Sequence, residues 1–242
     1  MTVRKHEEIA DSLTRDILVG QYRTGERLPS ERDLAARFDA NRGAVREAMK
    51  KLEQLGIACI QPGGARVAPL NEASLDVIGH LLAIGDVPDE DLVDQILVVM
   101  QNLITLAAES AVRRATDAEL ATIRERVQVL SRPDADVLAT EARFELMSAI
   151  MAASGNLVCQ LIARALLAQF APRMAVLEGR IAIDTDAHRR HAAQLDAALA
   201  ARDAEAVRGI FKTWSDFNRD AARRAFATLR QAPSRPEQVA SS

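Results

Sequence analysis

The chain has 242 residues, 48% of them apolar, and a formal net charge of −3. These values allow one large or two ordinary domains with a sizeable core, and they exclude a polycationic protein. Two cysteines, Cys59 and Cys159, lie 100 residues apart and exclude a disulfide framework. Without a signal-peptide pattern or a run of roughly 18 apolar residues, we expect a cytoplasmic protein that does not enter a membrane.

The first 70 residues predict three helices and a hairpin. Apolar residues recur at helical spacing before Gly20, which predicts the first helix. Ser30 and Asp33 have the spacing of a capping box, so a second helix is expected to begin there. The stretch "ANRGAVREAMKKLEQLG", residues 40–56, predicts a third helix with one apolar face. Two β-like runs around "PGG" follow as a hairpin, and the order indicates a winged helix-turn-helix.

The third helix carries cations on its outer face. Arg42, Arg46 and Lys50 follow one another at four-residue spacing, opposite the apolar stripe. For three such cations alone, a solvated face is the simpler interpretation, so a DNA-binding role depends on the order of cap, turn, helix and hairpin. In that order, Arg42 and Arg46 lie in the first turns, where a recognition helix reaches base edges. Residues 1–70 hold 12 Lys and Arg against 10 Asp and Glu, a mildly basic balance.

The remaining predicted contacts flank this helix. Arg32 begins the second helix, and Asn41 lies at the cap of the third, where it can reach phosphate. The hairpin would enter the minor groove as a wing. The predicted DNA-contact residues are Arg32, Asn41, Arg42, Arg46, Lys50, Gly63, Gly64 and Arg66.

The rest of the chain is rich in Ala and Leu and predicts an all-α bundle of six or seven helices. The helices are expected near 75–84, 90–114, 117–130, 135–153, 156–178, 185–200 and 203–230. The predicted fold class is therefore mostly α, with a small β-hairpin wing. The predicted domains are a winged helix-turn-helix at 1–70, a linker at 71–75, a helical domain at 76–230 and a disordered tail at 231–242.

The stretch "GERLPSERDLAARFDANRGAVREAMKKLEQLGIACIQPGGARV" resembles the winged-helix domain of GntR-family transcriptional regulators. The matching residues are Leu28, Pro29, Ser30, Glu31, Arg32, Leu34 and Ala35, then Arg42, Val45, Arg46, Glu47, Ala48, Leu52 and Gly56. The resemblance implies a homodimer on a short palindromic operator, with Arg32, Arg42 and Arg46 as readers. The segment Asn41–Arg42–Gly43 departs from the family, which often has Ser or Thr around this Arg, so the operator can differ.

The helical part resembles the C-terminal domain of the FadR subfamily, through its long helix at 90–114 and the segment "MAASGNLV". That resemblance implies dimerisation and a small regulatory ligand. Many members hold a metal with one Asp and three His, but here Trp214 stands about where relatives have their last His. We therefore expect neither metal nor other cofactor. The weak metal candidates are Glu141, Glu145, His188 and His191, for which a polar helix face is the simpler interpretation.

The missing histidines favour the branch of the subfamily that binds fatty acyl-CoA. An organic or sugar acid, with or without a metal, is the alternative effector. An ordinary core is the simpler interpretation of the candidate pocket residues, which are Phe144, Met147, Met151, Phe170, Met174, His191, Phe211 and Trp214.

Two other classes of protein compete with a ligand-responsive regulator. An aminotransferase-like fusion needs a cofactor lysine, and Lys212 is the only lysine after residue 51. No phosphate-binding glycine loop or zincin motif is present, so we expect no enzyme. A ligand-independent structural DNA-binding protein would have a solid bundle and little sequence preference.

Overall fold

The structure, a computed structural model, describes residues 4–132, 140–174 and 184–231. Within these ranges it has ten α-helices and a two-stranded sheet. The helices are α1 (Lys5–Leu18), α2 (Glu31–Arg37), α3 (Arg42–Gln54), α4 (Val77–Leu81), α5 (Glu90–Arg114), α6 (Asp117–Ser131), α7 (Thr140–Ala153), α8 (Leu157–Met174), α9 (Thr185–Ala200) and α10 (Ala204–Gln231), and the strands are β1 (Ala58–Gln61) and β2 (Gly64–Val67). The predicted fold class is confirmed.

The helix limits agree with the predicted ones because the local signals are strong. The predicted ranges 90–114 and 185–200 are those of α5 and α9. The predicted helix at 75–84 is shorter in the structure, where α4 ends at Leu81 and Gly85 takes a positive φ of 90°. The starts and ends predicted at 135 and 178, and the tail after 231, lie outside the described residues.

Two compact units divide the chain. The first comprises the residues up to Asp89 together with Ala165–Arg173 of α8, and the second comprises Glu90–Arg164 and the residues from Met174 onward. The domain limits predicted from the sequence stay a prediction.

The first unit is built on side-chain caps and one apolar core. Ser30 Oγ accepts from the backbone N–H of Asp33 at 3.3 Å, and Asn41 Oδ1 accepts from that of Ala44 at 2.8 Å. These bonds satisfy helix donors that have no partner in the helix itself, so α2 and α3 begin where the sequence predicts. The core under them contains Ile9, Leu13, Leu28, Leu34, Val45, Leu52, Ile57 and Val67.

The hairpin is antiparallel, with Cys59 opposite Arg66 and Gln61 opposite Gly64. Its turn contains Gly63 and Gly64 at φ of 102° and 124°, a backbone region that other residues rarely adopt. The predicted wing is therefore a formed hairpin.

In the second unit, α5 packs on α7 and α10, while α6 packs on α7 and α9. Charged pairs join the same helices: Arg219 of α10 donates to both carboxylate oxygens of Asp94 on α5, at 2.9 and 2.6 Å. The Arg219 hydrogen bonds hold the pKa of Asp94 below its ordinary value. Of the described helices, α5 has the length and hydropathy of a membrane span, a pattern shared by core helices.

Candidate functional sites

The start of α3 is the centre of the candidate DNA-contact surface. Val45, Ala48, Met49 and Leu52 bury one side of α3 in the core of the first unit, which leaves the opposite side exposed. Arg42 and Arg46 lie on that exposed side. Asn41 uses its side-chain oxygen for the cap, so its amide nitrogen stays available to a phosphate.

Most of the predicted cations on these helices already have a carboxylate partner. Arg46 Nε donates to both oxygens of Glu31 on α2, at 2.9 and 3.1 Å, and this hydrogen bond raises the pKa of Arg46. Lys50 donates to Glu47 at 2.8 Å, and Arg32 lies 3.6 Å from Asp33. Among these four predicted cations, Arg42 alone has no ion pair with any described residue. Glu31, the partner that orients Arg46, was not predicted, because no local pattern joins residues of α2 to residues of α3.

Two exposed arginines lie at the wing, and only Arg66 was predicted from the sequence as a DNA contact. Arg66 Nη1 donates to the carbonyl oxygen of Gly25 at 2.8 Å and so ties β2 to the preceding loop. Arg27, which was not among the predicted contacts, forms a backbone bridge with Arg66 and is exposed. Its guanidinium lies against Gly64, where an added Cβ would stand 2.8 Å from Arg27 Nε. Arg27 is therefore a basic side chain at the wing turn.

In the second unit, two histidines of α9 meet aromatic and polar residues of α10. We call His188, His191, Trp214, Phe217 and Asn218 the imidazole–indole cluster. Trp214 Nε1 donates to His188 Nδ1 at 2.9 Å, and His188 Nε2 lies 3.1 Å from Asn218 Oδ1. The two bonds fit a neutral imidazole protonated on Nε2. Burial, followed by the charge of Arg143, lowers the pKa of His188 to about 4.

His191 differs from His188 in its hydrogen bonding. Its ring stacks on Trp214 with centroids 6.0 Å apart, and its Nδ1 is buried with no hydrogen-bond partner among the described residues. Both nitrogens of His188 are engaged, whereas Nδ1 of His191 has no partner in the part of the chain that the structure describes.

The structure brings some of the predicted pocket residues together and separates others. Trp214 and Phe211 stack with centroids 6.4 Å apart, close to His191. Met151 contacts the buried thiol of Cys159, and burial raises the pKa of that thiol. Phe144 is 45% exposed. Phe170 belongs to the first unit, while Met147 and Met174 are half-buried in the second.

The weak metal candidates do not assemble in the part of the chain that the structure describes. Glu145 receives a hydrogen bond from Arg126 of α6 at 2.7 Å, and His188 is engaged as above. The side chain of Glu141 lies outside the described residues. Those residues contain no group of three or more His, Cys, Asp or Glu that could hold a metal. The expectation of a metal-free protein stays a prediction.

Family models match both parts of the chain. The model described as "Bacterial regulatory proteins, gntR family" matches residues 5–67, from α1 to β2, and the model of the FCD domain matches residues 95–216. The chain belongs to the GntR family and carries an FCD domain. This confirms a transcriptional regulator with a DNA-binding domain and an effector-binding domain, and it confirms that the protein is not an enzyme.

Curated relatives of this GntR-family chain are regulators too. The HTH-type transcriptional regulator Mce2R of Mycobacterium tuberculosis is 28% identical over 174 residues, 71% of this chain and 72% of that protein. The HTH-type transcriptional regulator LutR of Bacillus subtilis is 30% identical over 138 residues, which are 57% of this chain and 62% of LutR. The Uxu operon transcriptional regulator of Escherichia coli is 29% identical over 135 residues, which are 53% of this chain and 49% of that protein.

A solved structure supports the fold. The structure described as "Lar controls the expression of the Listeria monocytogenes agr system and mediates virulence" has a TM-score of 0.56. It is 18% identical and covers 93% of this chain and 98% of that chain. At that identity the likeness shows the fold alone.

Proposed function

We propose that this regulator binds a palindromic operator as a homodimer, and that a small molecule bound in its second unit changes the affinity for DNA. The observation that carries the proposal is the exposed start of α3, where Arg42 has no ion pair with a described residue and Arg46 is held by Glu31. A rigid helix with donors on its outer face can read a major groove. Because such a regulator must reach DNA to act, we place it in the cytoplasm.

The proposed role of each basic side chain depends on whether it already pairs with a carboxylate. Arg42 can take the O6 and N7 acceptors of a guanine without giving up an ion pair. Arg46 contacts a base or phosphate with a guanidinium that Glu31 has already oriented. Arg32, Asn41 and Lys50 are suited to phosphates, which fix the register of the helix on DNA. Gly63 and Gly64 bring the wing backbone close to a minor groove, with Arg27 beside them.

Exposed apolar side chains on two helices of the second unit support the dimer. Val99 and Leu106 of α5 and Leu157, Val158 and Leu161 of α8 are 47–66% exposed. The start of α8 lies against α5, because Cys159 Sγ lies 3.3 Å from the carbonyl oxygen of Leu103. Leu157 and Leu161 share the side of α8 opposite Cys159. A second copy of the chain would bury apolar side chains of this kind, Leu157 and Leu161 among them, and give the two-fold symmetry that a palindrome requires.

For the effector, we propose a small organic acid. The FadR-subfamily assignment and its acyl-CoA ligand stay predictions, and CoA would require several cations around its phosphates. LutR and the Uxu operon regulator are among the relatives of this chain, and an organic or sugar acid is the effector that agrees with the alternative predicted from the sequence. In this mechanism the ligand favours one arrangement of the dimer, and a shift of several kcal/mol in that preference is needed to clear an operator.

The test is selection of DNA from a random pool by the purified full chain. We expect a palindromic consensus and a dimer on each selected duplex. Arg42→Ala should weaken binding to the consensus by about 1–3 kcal/mol and relax specificity at one position of each half-site. A pool without consensus, or a monomer on DNA, would contradict the proposal and favour a structural DNA-binding protein.

A further inference from the structure

Gly43 is an exposed position without a side chain in the first turn of α3. Arg46, Glu47 and Lys50 follow it at three, four and seven residues, and all four positions are exposed. In an α-helix this spacing places them along one stripe, which here lies away from the buried side of α3. The outer stripe of α3 therefore carries a charged side chain at every position except the first.

No contact within the described part of the chain requires a glycine at this position. Gly43 is not among the glycines that take a positive φ, so its backbone would accept another residue. Outside the α3 backbone and the two neighbouring residues, an added Cβ would meet only the cap oxygen of Asn41, at 3.1 Å. By contrast, Gly56 has a φ of 70°, and its Cβ would stand 2.9 Å from the carbonyl oxygen of Glu72. Because glycine is less favourable in a helix than any residue except proline, Gly43 does not stabilise α3.

The charged side chains beside Gly43 are engaged in ion pairs and leave its backbone open. Arg46 donates to Glu31 on α2, and Lys50 donates to Glu47. Gly43 itself stays exposed between these pairs. Bare backbone thus occurs in the first turns of α3, where a recognition helix approaches base edges.

We propose that Gly43 is a specificity-determining residue, whose backbone lies against the C5 methyl group of a thymine in each half-site of the operator. Thymine alone among the bases presents a methyl group in the major groove. Without a Cβ, the helix can approach that methyl group to van der Waals distance.

The absence of a side chain also explains why a thymine fits this position better than another base. Gly43 has no side-chain donor or acceptor, so a polar base edge pressed against it would exchange hydrogen bonds to water for none from a side chain. A methyl group needs no such partner and gains from being buried. This inference rests on the proposed function, because it takes α3 as the helix that reads the operator.

The test uses the operator selected by the full chain, with Kd measured by fluorescence anisotropy. Deoxyuridine replaces the consensus thymines one symmetric pair at a time, which removes only the methyl groups. At one pair we expect the wild type to bind about fourfold more weakly for each half-site. Gly43→Ala should bind the thymine operator at least about fivefold more weakly, because its Cβ overlaps the methyl group. Gly43→Ala should then bind the deoxyuridine operator more tightly than the thymine operator.

Gly209→Ala is the matched control, because Gly209 is an exposed glycine of α10 whose added Cβ would meet no described atom within 4 Å outside its own helix backbone and neighbours. This variant should keep both Kd values of the wild type. In urea unfolding, the midpoint of Gly43→Ala should be at least as high as that of the wild type.

An equal ratio of the two Kd values in Gly43→Ala and in the wild type would overturn the inference. So would a lower urea midpoint with equal weakening on both duplexes, since Gly43 would then serve only the Asn41 cap. A wild type that selects a consensus but loses no affinity with any deoxyuridine pair overturns the role of Gly43 alone. Failure to select a consensus overturns the proposed function.

Discussion

At the scale of single residues, Glu31 orients Arg46 but also places a negative charge beside the DNA-contact surface. Glu31→Gln should raise affinity for all DNA sequences a few-fold, since one repulsive charge is lost. Glu31→Gln should also reduce the preference for operator over random DNA, because the Arg46 guanidinium is no longer held in place by a charged hydrogen bond. Both effects are measured by fluorescence anisotropy with operator and random duplexes.

Glu47→Gln is the matched control for that prediction, since it removes the same charge from α3 and releases Lys50. We expect a similar rise in affinity without a loss of preference. Equal discrimination in the two variants would show that Glu31 contributes only its charge.

His188 should make stability depend on pH. The pKa of His188 is about 4 in the folded chain, against an ordinary value of 6.5. Below pH 6.5 the unfolded chain binds a proton that the folded chain does not, so stability falls as the pH drops from 6.5 to 4. The expected loss at pH 5 is about 2 kcal/mol.

Urea unfolding at pH 7 and pH 5 measures this loss, and His188→Gln should remove most of it. His80→Asn, in α4, serves as the control for replacing a histidine elsewhere. An equal pH dependence in the wild type and in His188→Gln would show that other groups cause it.

At the scale of elements, the two arginines of the wing should separate in function. Arg66 is tied to the Gly25 carbonyl, so Arg66→Gln should lower the free energy of unfolding by about 1 kcal/mol. Arg27 has an exposed guanidinium at the wing turn, so Arg27→Gln should leave stability unchanged and weaken DNA binding. It should also lower the slope of log Kd against log salt by about 1.

Urea unfolding and DNA binding at several salt concentrations measure both variants. If Arg66→Gln lowers the slope of log Kd against log salt and Arg27→Gln does not, then Arg66 contacts DNA, as the sequence predicts. In that case Arg27 does not contact DNA.

At the scale of the whole molecule, the exposed apolar side of α8 with Leu157 and Leu161 should decide assembly. Leu161 is 57% exposed, and Leu161→Glu would bury two carboxylates in a symmetric interface. We expect a monomer by light scattering and weak operator binding, with unchanged helix content.

Val129→Glu introduces the same charge at an exposed apolar residue of α6 and should leave the dimer intact. Dissociation of both variants, or of neither, would place the dimer interface elsewhere.

Much of the fold follows from local signals in the sequence. Caps such as Ser30 and Asn41 and apolar periodicity specify helix limits, because a helix satisfies its backbone within one segment. The glycine pair at 63 and 64 likewise predicts the hairpin turn. The same local order of motifs was enough to indicate the family.

The candidate sites depended more on the tertiary structure. Phe144 and Phe170 share the apolar character of Phe211, yet the first is exposed and the second belongs to the other unit. Composition does not distinguish them, because burial is decided by where neighbouring helices pack.

By itself, the sequence determined the class of protein, the helices and the cations at the start of α3, since these depend on residues close together in the chain. Only the tertiary structure decided which charges are paired. Arg46 meets Glu31 15 residues away, and His188 meets Trp214 26 residues away. Pairing over such separations depends on packing between elements, and it determines which side chains are left to bind DNA or an effector.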